Sequence, residues 1–128
     1  MRFICKLDIN IYSCITKDIV TDEVIITDER IEHIKERHPN DYERYYTYLQ
    51  SIILEPDYII ESKRQNTALI LKEIVETEEK HFKTVLRLTT STDNPNFKNS
   101  VITFMKIDAK EWKRLIKNKR ILYTRFFK

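Results

Sequence analysis

Residues 58–88 read YIIESKRQNTALILKEIVETEEKHFKTVLRL, and this stretch decides the fold. Its apolar residues fall into three runs, at about Tyr58–Ser62, Thr67–Val75 and Phe82–Thr90, divided by the polar breaks Lys63–Asn66 and Glu76–Lys80. Short runs rich in β-branched and aromatic residues read as strands, and breaks of this length are hairpin connections. A fourth run, Val101–Ile107, follows the longer polar segment Ser91–Asn99. Sequential strands joined by short turns form an antiparallel meander.

Upstream, residues 3–15 alternate. Phe3, Cys5, Leu7, Ile9, Ile11 and Ile15 share one parity against Lys6, Asp8 and Asn10, which predicts a strand or hairpin. Glu23–Ile26 is a short second extended segment. Thr27 or Asp28 then caps a helix with Asp28 and Glu29 in its first turn, where the helix dipole favours acids. Pro39 disfavours helical geometry in the residue before it, so this helix ends near His38. Asn40 and Glu43 resemble a capping box opening a second helix, with Tyr42, Tyr45, Tyr46, Leu49, Ile52 and Ile53 at helical spacing. Glu55-Pro56-Asp57 stops it.

Downstream, Ala109–Asn118 predicts a last helix with Trp112, Leu115 and Ile116 as its buried stripe, and Ile121–Phe127 an extended aromatic tail. The expected architecture is α+β, a single domain over residues 1–128. It has an N-terminal strand or hairpin, two helices packed on one face of a four-stranded antiparallel sheet, and a short basic C-terminal helix.

Composition excludes several function classes. The chain contains no glycine, so no glycine-rich phosphate loop, dinucleotide fingerprint or glycine-based nucleophile elbow is present. No cofactor is expected. Cys5 and Cys14 make neither a disulfide framework nor a four-ligand zinc site, and their apolar surroundings predict buried free thiols. No apolar run approaches the roughly 18 residues of a membrane span, and the N-terminus lacks the unbroken apolar core of a signal peptide. A cytoplasmic location follows, or delivery into a target cell's cytoplasm if the domain belongs to a larger toxin. The net charge is +3, yet from Lys110 to Lys128 eight Lys/Arg stand against Glu111 alone. That basic end would attract a polyanion, nucleic acid first.

The most informative cluster is HIKERHP at residues 33–39. At about 100° per residue, Ile34 and His38 share the core-facing stripe begun by Ile31, while Arg30, His33 and Arg37 fall on an adjoining one. Neighbouring cations disfavour the charged form of an imidazole, and a neutral imidazole beside cations suits a general base acting near a phosphate. The five-residue separation of His33 and His38 does not suit a metal pair on one helix face, and His81 falls at a turn, so no metal site is expected. A second cluster, Asn96-Phe97-Lys98-Asn99-Ser100-Val101-Ile102-Thr103, feeds a polar loop into a strand carrying two hydroxyls. Such groups can donate to a phosphate oxygen, with Lys98 offsetting its charge. Lys72 lies within the apolar run Ala68–Val75, on the solvent face or lining a cleft.

The order of HI-x-x-RHP, EPDYII, TALILKEI, FKTVLRL, FKNSVIT and RILYTR resembles the phage-type barnase–EndoU–colicin–RelE-like nucleases over about residues 22–125. The resemblance implies N-terminal helices over a four-stranded antiparallel sheet, and metal-independent RNA cleavage by a toxin or phage-linked element. Carried over by position, it implies His33, Arg37 and His38 from the helix, Lys72 from its strand, and Asn99, Ser100 and Thr103 from the last strand. Of these, His33, His38, Arg37, Lys72, Ser100 and Thr103 are the expected catalytic set. Lys98, Asn99, Lys110, Lys113, Arg114, Lys117 and Arg120 are the expected RNA contacts. The implied partners are RNA and a cognate inhibitor or immunity protein, with no membrane. Two rival readings remain: a nucleic-acid-binding module without catalysis, and a phage or mobile-element adaptor docking a protein through Tyr123–Phe127.

Overall fold

A computed structural model describes residues 1–126; Phe127 and Lys128, the ends of the expected aromatic and basic tails, lie outside the described residues. The elements run β1 (Arg2–Lys6), α1 (Ile9–Tyr12), β2 (Glu23–Ile26), α2 (Asp28–Arg37), α3 (Asp41–Tyr45), a 3₁₀ turn (Tyr46–Tyr48) and α4 (Leu49–Leu54). They continue with β3 (Tyr58–Ile60), β4 (Thr67–Val75), β5 (Glu79–Arg87), β6 (Asn99–Ile107), α5 (Ala109–Asn118) and β7 (Ile121–Thr124).

The meander expected from residues 58–107 is present as β3 to β6, each strand antiparallel to the next. The sheet is larger than the four strands expected. It is seven-stranded and mixed, in the order β1-β2-β6-β5-β4-β3-β7. The outer strands of a bare meander would leave a row of unpaired backbone groups. β7 pairs antiparallel with β3, and β2 pairs parallel with β6 through Val24–Asn99 and Ile25–Ser100.

Two local expectations are corrected. Residues 3–15 are not one strand or hairpin: β1 ends at Lys6, and Asp8 caps the short helix α1 by accepting from the Asn10 N–H at 2.9 Å. Tyr12 fixes that turn, fully buried with its hydroxyl donating to the Ile53 carbonyl at 2.8 Å. The second helix is also broken. Asn40 takes a left-handed conformation (φ 71) without side-chain capping, and a 3₁₀ turn separates α3 from α4. The aromatic run accounts for the break, because residues three apart eclipse in a 3₁₀ turn. Tyr45 and Tyr48 stack at 6.1 Å, and both reach Phe82, at 5.1 and 5.6 Å.

Alternation along the strands separates two apolar layers. Ile59, Ala68, Ile70, Phe82, Leu86 and Phe104 face α1–α4 in the larger core. Ile60, Leu69, Leu71 and Ile107 face the other way, against Trp112, Leu115 and Ile116 of α5. The helices therefore do not share one face; α5 lies on the opposite side, because its apolar stripe matches the residues of odd parity on β4. Of the two cysteines, both free, Cys5 is buried and Cys14 half-buried. Burial pushes the Cys5 thiol up to about 11.

A buried charge hub joins the meander to the C-terminus. Asp57 accepts from Arg125 Nε at 2.6 Å, from Lys72 Nζ at 3.4 Å and from the Glu73 N–H at 2.8 Å. Removing one partner from such a group strands a buried charge, at a cost of about 3–5 kcal/mol. Asp57→Ala is therefore expected to lose about that much in urea unfolding, whereas Asp57→Leu/Lys72→Met, which removes both buried charges, loses less. The Cys5 thiol adds a pH dependence. The unfolded thiol ionises first, near its ordinary value of 9.0, so stability should decline from about pH 9 towards 11 and decline less in Cys5→Ala.

Candidate functional site

The site depends on where β2 leaves the sheet. Only Val24 and Ile25 pair with β6, so the rest of β6 has no strand on that side. Thr27 turns the chain out of the sheet, and its Oγ accepts from the Arg30 N–H at 3.1 Å to cap α2. Ile31 and Ile34 anchor α2 in the larger core. With those two buried, the stripe of Arg30, His33 and Arg37 is left on the flank. His38 ends the helix, its N–H donating to the Ile34 carbonyl at 2.8 Å.

That flank forms one wall of a cleft of about 500 Å³. Arg30, His33, Arg37 and His38 line it from α2, and Ser62, Lys63 and Arg64 from the β3–β4 turn. Its floor is Val85 from β5 with Ile102, Thr103 and Met105 from β6. The β5–β6 register shifts between Val85 and Leu86, leaving Ile102 as an extra residue, and so two consecutive β6 residues reach the floor. The turn bearing Lys63 and Arg64 is pinned where the Glu61 N–H donates to the Arg120 carbonyl at 2.9 Å.

The electrostatics of the lining are one-sided. Among the described residues it carries four cations, two histidines and no carboxylate. Among the described residues, none of Arg30, Arg37, Lys63 and Arg64 is in an ion pair. Like charges converging without counter-charges raise the local concentration of anions. Imidazoles and guanidinium groups thus face guanidinium and ammonium groups across a floor that includes Thr103, a lining suited to an anion.

The structure gathers His33, Arg37, His38 and Thr103 from the expected catalytic set and places the others elsewhere. Lys72 projects from the opposite face of β4, beside Ala68 and Ile70, where it also donates to the Glu55 carbonyl at 2.7 Å. Ser100 and Lys98 line a neighbouring cavity of about 390 Å³, with Lys98 held by Glu23 at 2.5 Å. That contact keeps the Glu23 carboxyl below its ordinary value. Asn99 is fully buried and committed to structure: its side chain accepts from the Thr89 N–H at 2.8 Å and donates to the Thr21 and Glu23 carbonyls at 2.7 and 3.0 Å.

On α5, Lys110 is exposed, Arg114 is held by Glu111 at 2.6 and 2.8 Å, and Lys113 and Lys117 line a third cavity. Arg120 is exposed beside the turn of Lys63 and Arg64, its N–H donating to Glu61 Oε1 at 3.2 Å. Sequence reasoning treated Lys63 and Arg64 as a hairpin break; the adjacent pair of cations in a turn was the available signal.

His81 is corrected in position. It lies within β5 opposite Glu73, whose Oε2 is 2.8 Å from its Nε2, under the Trp112 ring at 4.7 Å. With Glu79 these form a group whose donor atoms lie within 4.8 Å of one another, the spacing a metal ion would need, away from the cation-lined cleft. No helix among the described residues is long and apolar enough to cross a membrane.

The chain belongs to the phage-Barnase-EndoU-ColicinE5/D-RelE like nuclease2 family, whose model matches residues 6–124. No curated protein and no solved structure matches the chain.

The geometry separates the three histidines by access. Diethyl pyrocarbonate is expected to modify exposed His33 first, half-buried His38 more slowly and buried His81 last, read by peptide mass spectrometry. Millimolar pyrophosphate should slow the reaction at His33 and leave His81 unchanged.

Proposed function

We propose that this protein is a metal-independent endoribonuclease that acts in the cleft between α2 and the β5–β6 floor. The observation that carries the reading is the lining itself, in which, among the described residues, two histidines meet four cations without ion-pair partners and no acid. Transesterification within RNA needs those parts. The ribose 2′-oxygen attacks the adjacent phosphorus, a base takes its proton, and the bond from phosphorus to the 5′-oxygen breaks as an acid protonates the leaving group. The products are a 2′,3′-cyclic phosphate and a 5′-hydroxyl, and no oxidant, cofactor or metal enters the balance.

His33 and His38 are the acid–base pair, because they are the two imidazoles that line the cleft. Arg37 offsets the charge that builds on the phosphoryl oxygens, commonly the largest catalytic contribution, and Thr103 orients that phosphate through its hydroxyl. Arg30, Lys63 and Arg64 hold flanking phosphates, and the basic residues of α5 and Arg120 extend the positive surface. The described lining residues offer cations and imidazoles for the phosphate rather than carboxylates for a divalent ion, which supports chemistry without a metal. Family membership supports a role as a bacterial or phage-linked toxin, with a cognate inhibitor expected to present acids to the same cleft.

Purified protein should cut single-stranded RNA in EDTA and leave DNA of the same sequence intact, since DNA lacks the nucleophile. His33→Ala and His38→Ala should each lower kcat by about 10²–10⁴-fold. Full activity in either variant removes that histidine from the scheme, and uncut RNA with the wild-type protein overturns the proposal. Arg64→Ala should weaken RNA binding and reduce the slope of log affinity against log salt by about 1.

A further inference from the structure

The cavity next to the cleft differs from it in kind. Its floor is the next row of the same strand pair: Arg87 stands two residues beyond Val85 on β5, and Ser100, its partner on β6, precedes Thr103 on that face. Two residues of strand span about 7 Å, on the scale of one nucleotide. The charged groups here are already compensated. Arg87 is paired with Asp93 at 2.9 Å and Lys98 with Glu23 at 2.5 Å. Asp93 is further committed to the Thr90 N–H at 2.8 Å.

What remains is apolar and flat. Ile25 supplies one wall and Phe97 another, and Phe97 is 57% exposed, which leaves its ring face open to a ligand. Asn96 adds an amide to the lining, and Ser100 a hydroxyl from the floor. The volume of about 390 Å³ lies in the range of small-ligand sites.

We infer that this cavity binds one base of a single-stranded RNA whose phosphates lie in the adjoining cleft, with Phe97 as its stacking platform and Asn96 and Ser100 reading its edge. The inference rests on the ribonuclease reading and adds a specificity subsite to it. A neutral pocket with an exposed ring beside a cation-lined groove matches the substrate's own division into uncharged bases and a charged backbone. Every base has a face to stack on, so Phe97 supplies affinity, while the amide and hydroxyl discriminate between bases.

The test uses fluorescein-labelled, 2′-O-methyl single-stranded RNA hexamers, which bind without being cut, with an abasic ribose moved through each position in turn. Stacking of a base on an aromatic ring accounts for affinity on the order of 10-fold. One abasic position should weaken wild-type binding by that factor, and Phe97→Ala should weaken the intact hexamer similarly. The two changes together should cost no more than either alone. Phe97 is exposed and outside the core, so the variant should fold, with circular dichroism as the check. Equal binding of the intact hexamer by wild type and Phe97→Ala overturns the inference, as do penalties that multiply, and a hexamer that does not bind the wild-type protein does the same. Cleavage separates the two claims. RNA bound with this coupling but never cut defeats catalysis and leaves the base site standing; RNA cut normally but without the coupling does the reverse.

Discussion

Side chains on a strand alternate between two faces, and most of this molecule follows from how β4, β5 and β6 satisfy both. One face carries Ala68, Ile70, Phe82, Leu86 and Phe104 and is sealed by the helices that precede the meander. The other carries Leu69, Leu71 and Ile107 and is covered by α5 over that part alone. The floor residues Val85, Thr103 and Met105 lie on this second face outside the α5 cluster. The cleft is thus a region of sheet that neither layer covers, bounded by α2 because β2 pairs with β6 over only two residues.

Charge is distributed according to the same division. Where the structure needs a cation in a low-dielectric setting it supplies a counter-charge, as for Lys72 on Asp57, with the Glu55 carbonyl completing its hydrogen bonds. In the cleft, among the described residues, Arg30, Arg37, Lys63 and Arg64 have no ion-pair partner. Mutual repulsion makes this unfavourable for folding, which is why such departures from local satisfaction concentrate at functional sites. Surface charges like these stay tolerable because water and salt screen them, and a polyanion would relieve them. The neighbouring cavity has its charges paired internally, so two adjoining regions of one sheet face offer different chemistry.

Much of the fold was legible from short-range pattern. Glu23–Ile26, Thr67–Val75 and Ala109–Asn118 match the observed strands and helix, because their apolar spacing agrees with the structure each adopts. Residues 7–15 misled, since an alternation of isoleucines also fits a short capped helix once Asp8 is free to bind the Asn10 N–H. The break between α3 and α4 was hidden because helical spacing does not register two tyrosine rings, Tyr45 and Tyr48, packing on one phenylalanine. Lys72 stood between the solvent face and a cleft, and joined the catalytic set by resemblance alone, because parity gives a strand two faces without saying which one the helices will occupy.

Sequence alone determined the meander, the helix carrying Arg30, His33 and Arg37 on one stripe, and the convergence of histidine and arginine at residues 33–38, because periodicity and capping are local. Tertiary structure decided which cations share the cleft. Lys63 and Arg64 reach it through a hairpin turn more than twenty residues from α2, and Thr103 from β6, where a bulge adds Ile102 beside it. It also decided that Asn99 is a buried brace and Lys72 a partner of Asp57. Those outcomes depend on strand order and on which face each layer covers, and both are set by long-range pairing that no window of sequence contains.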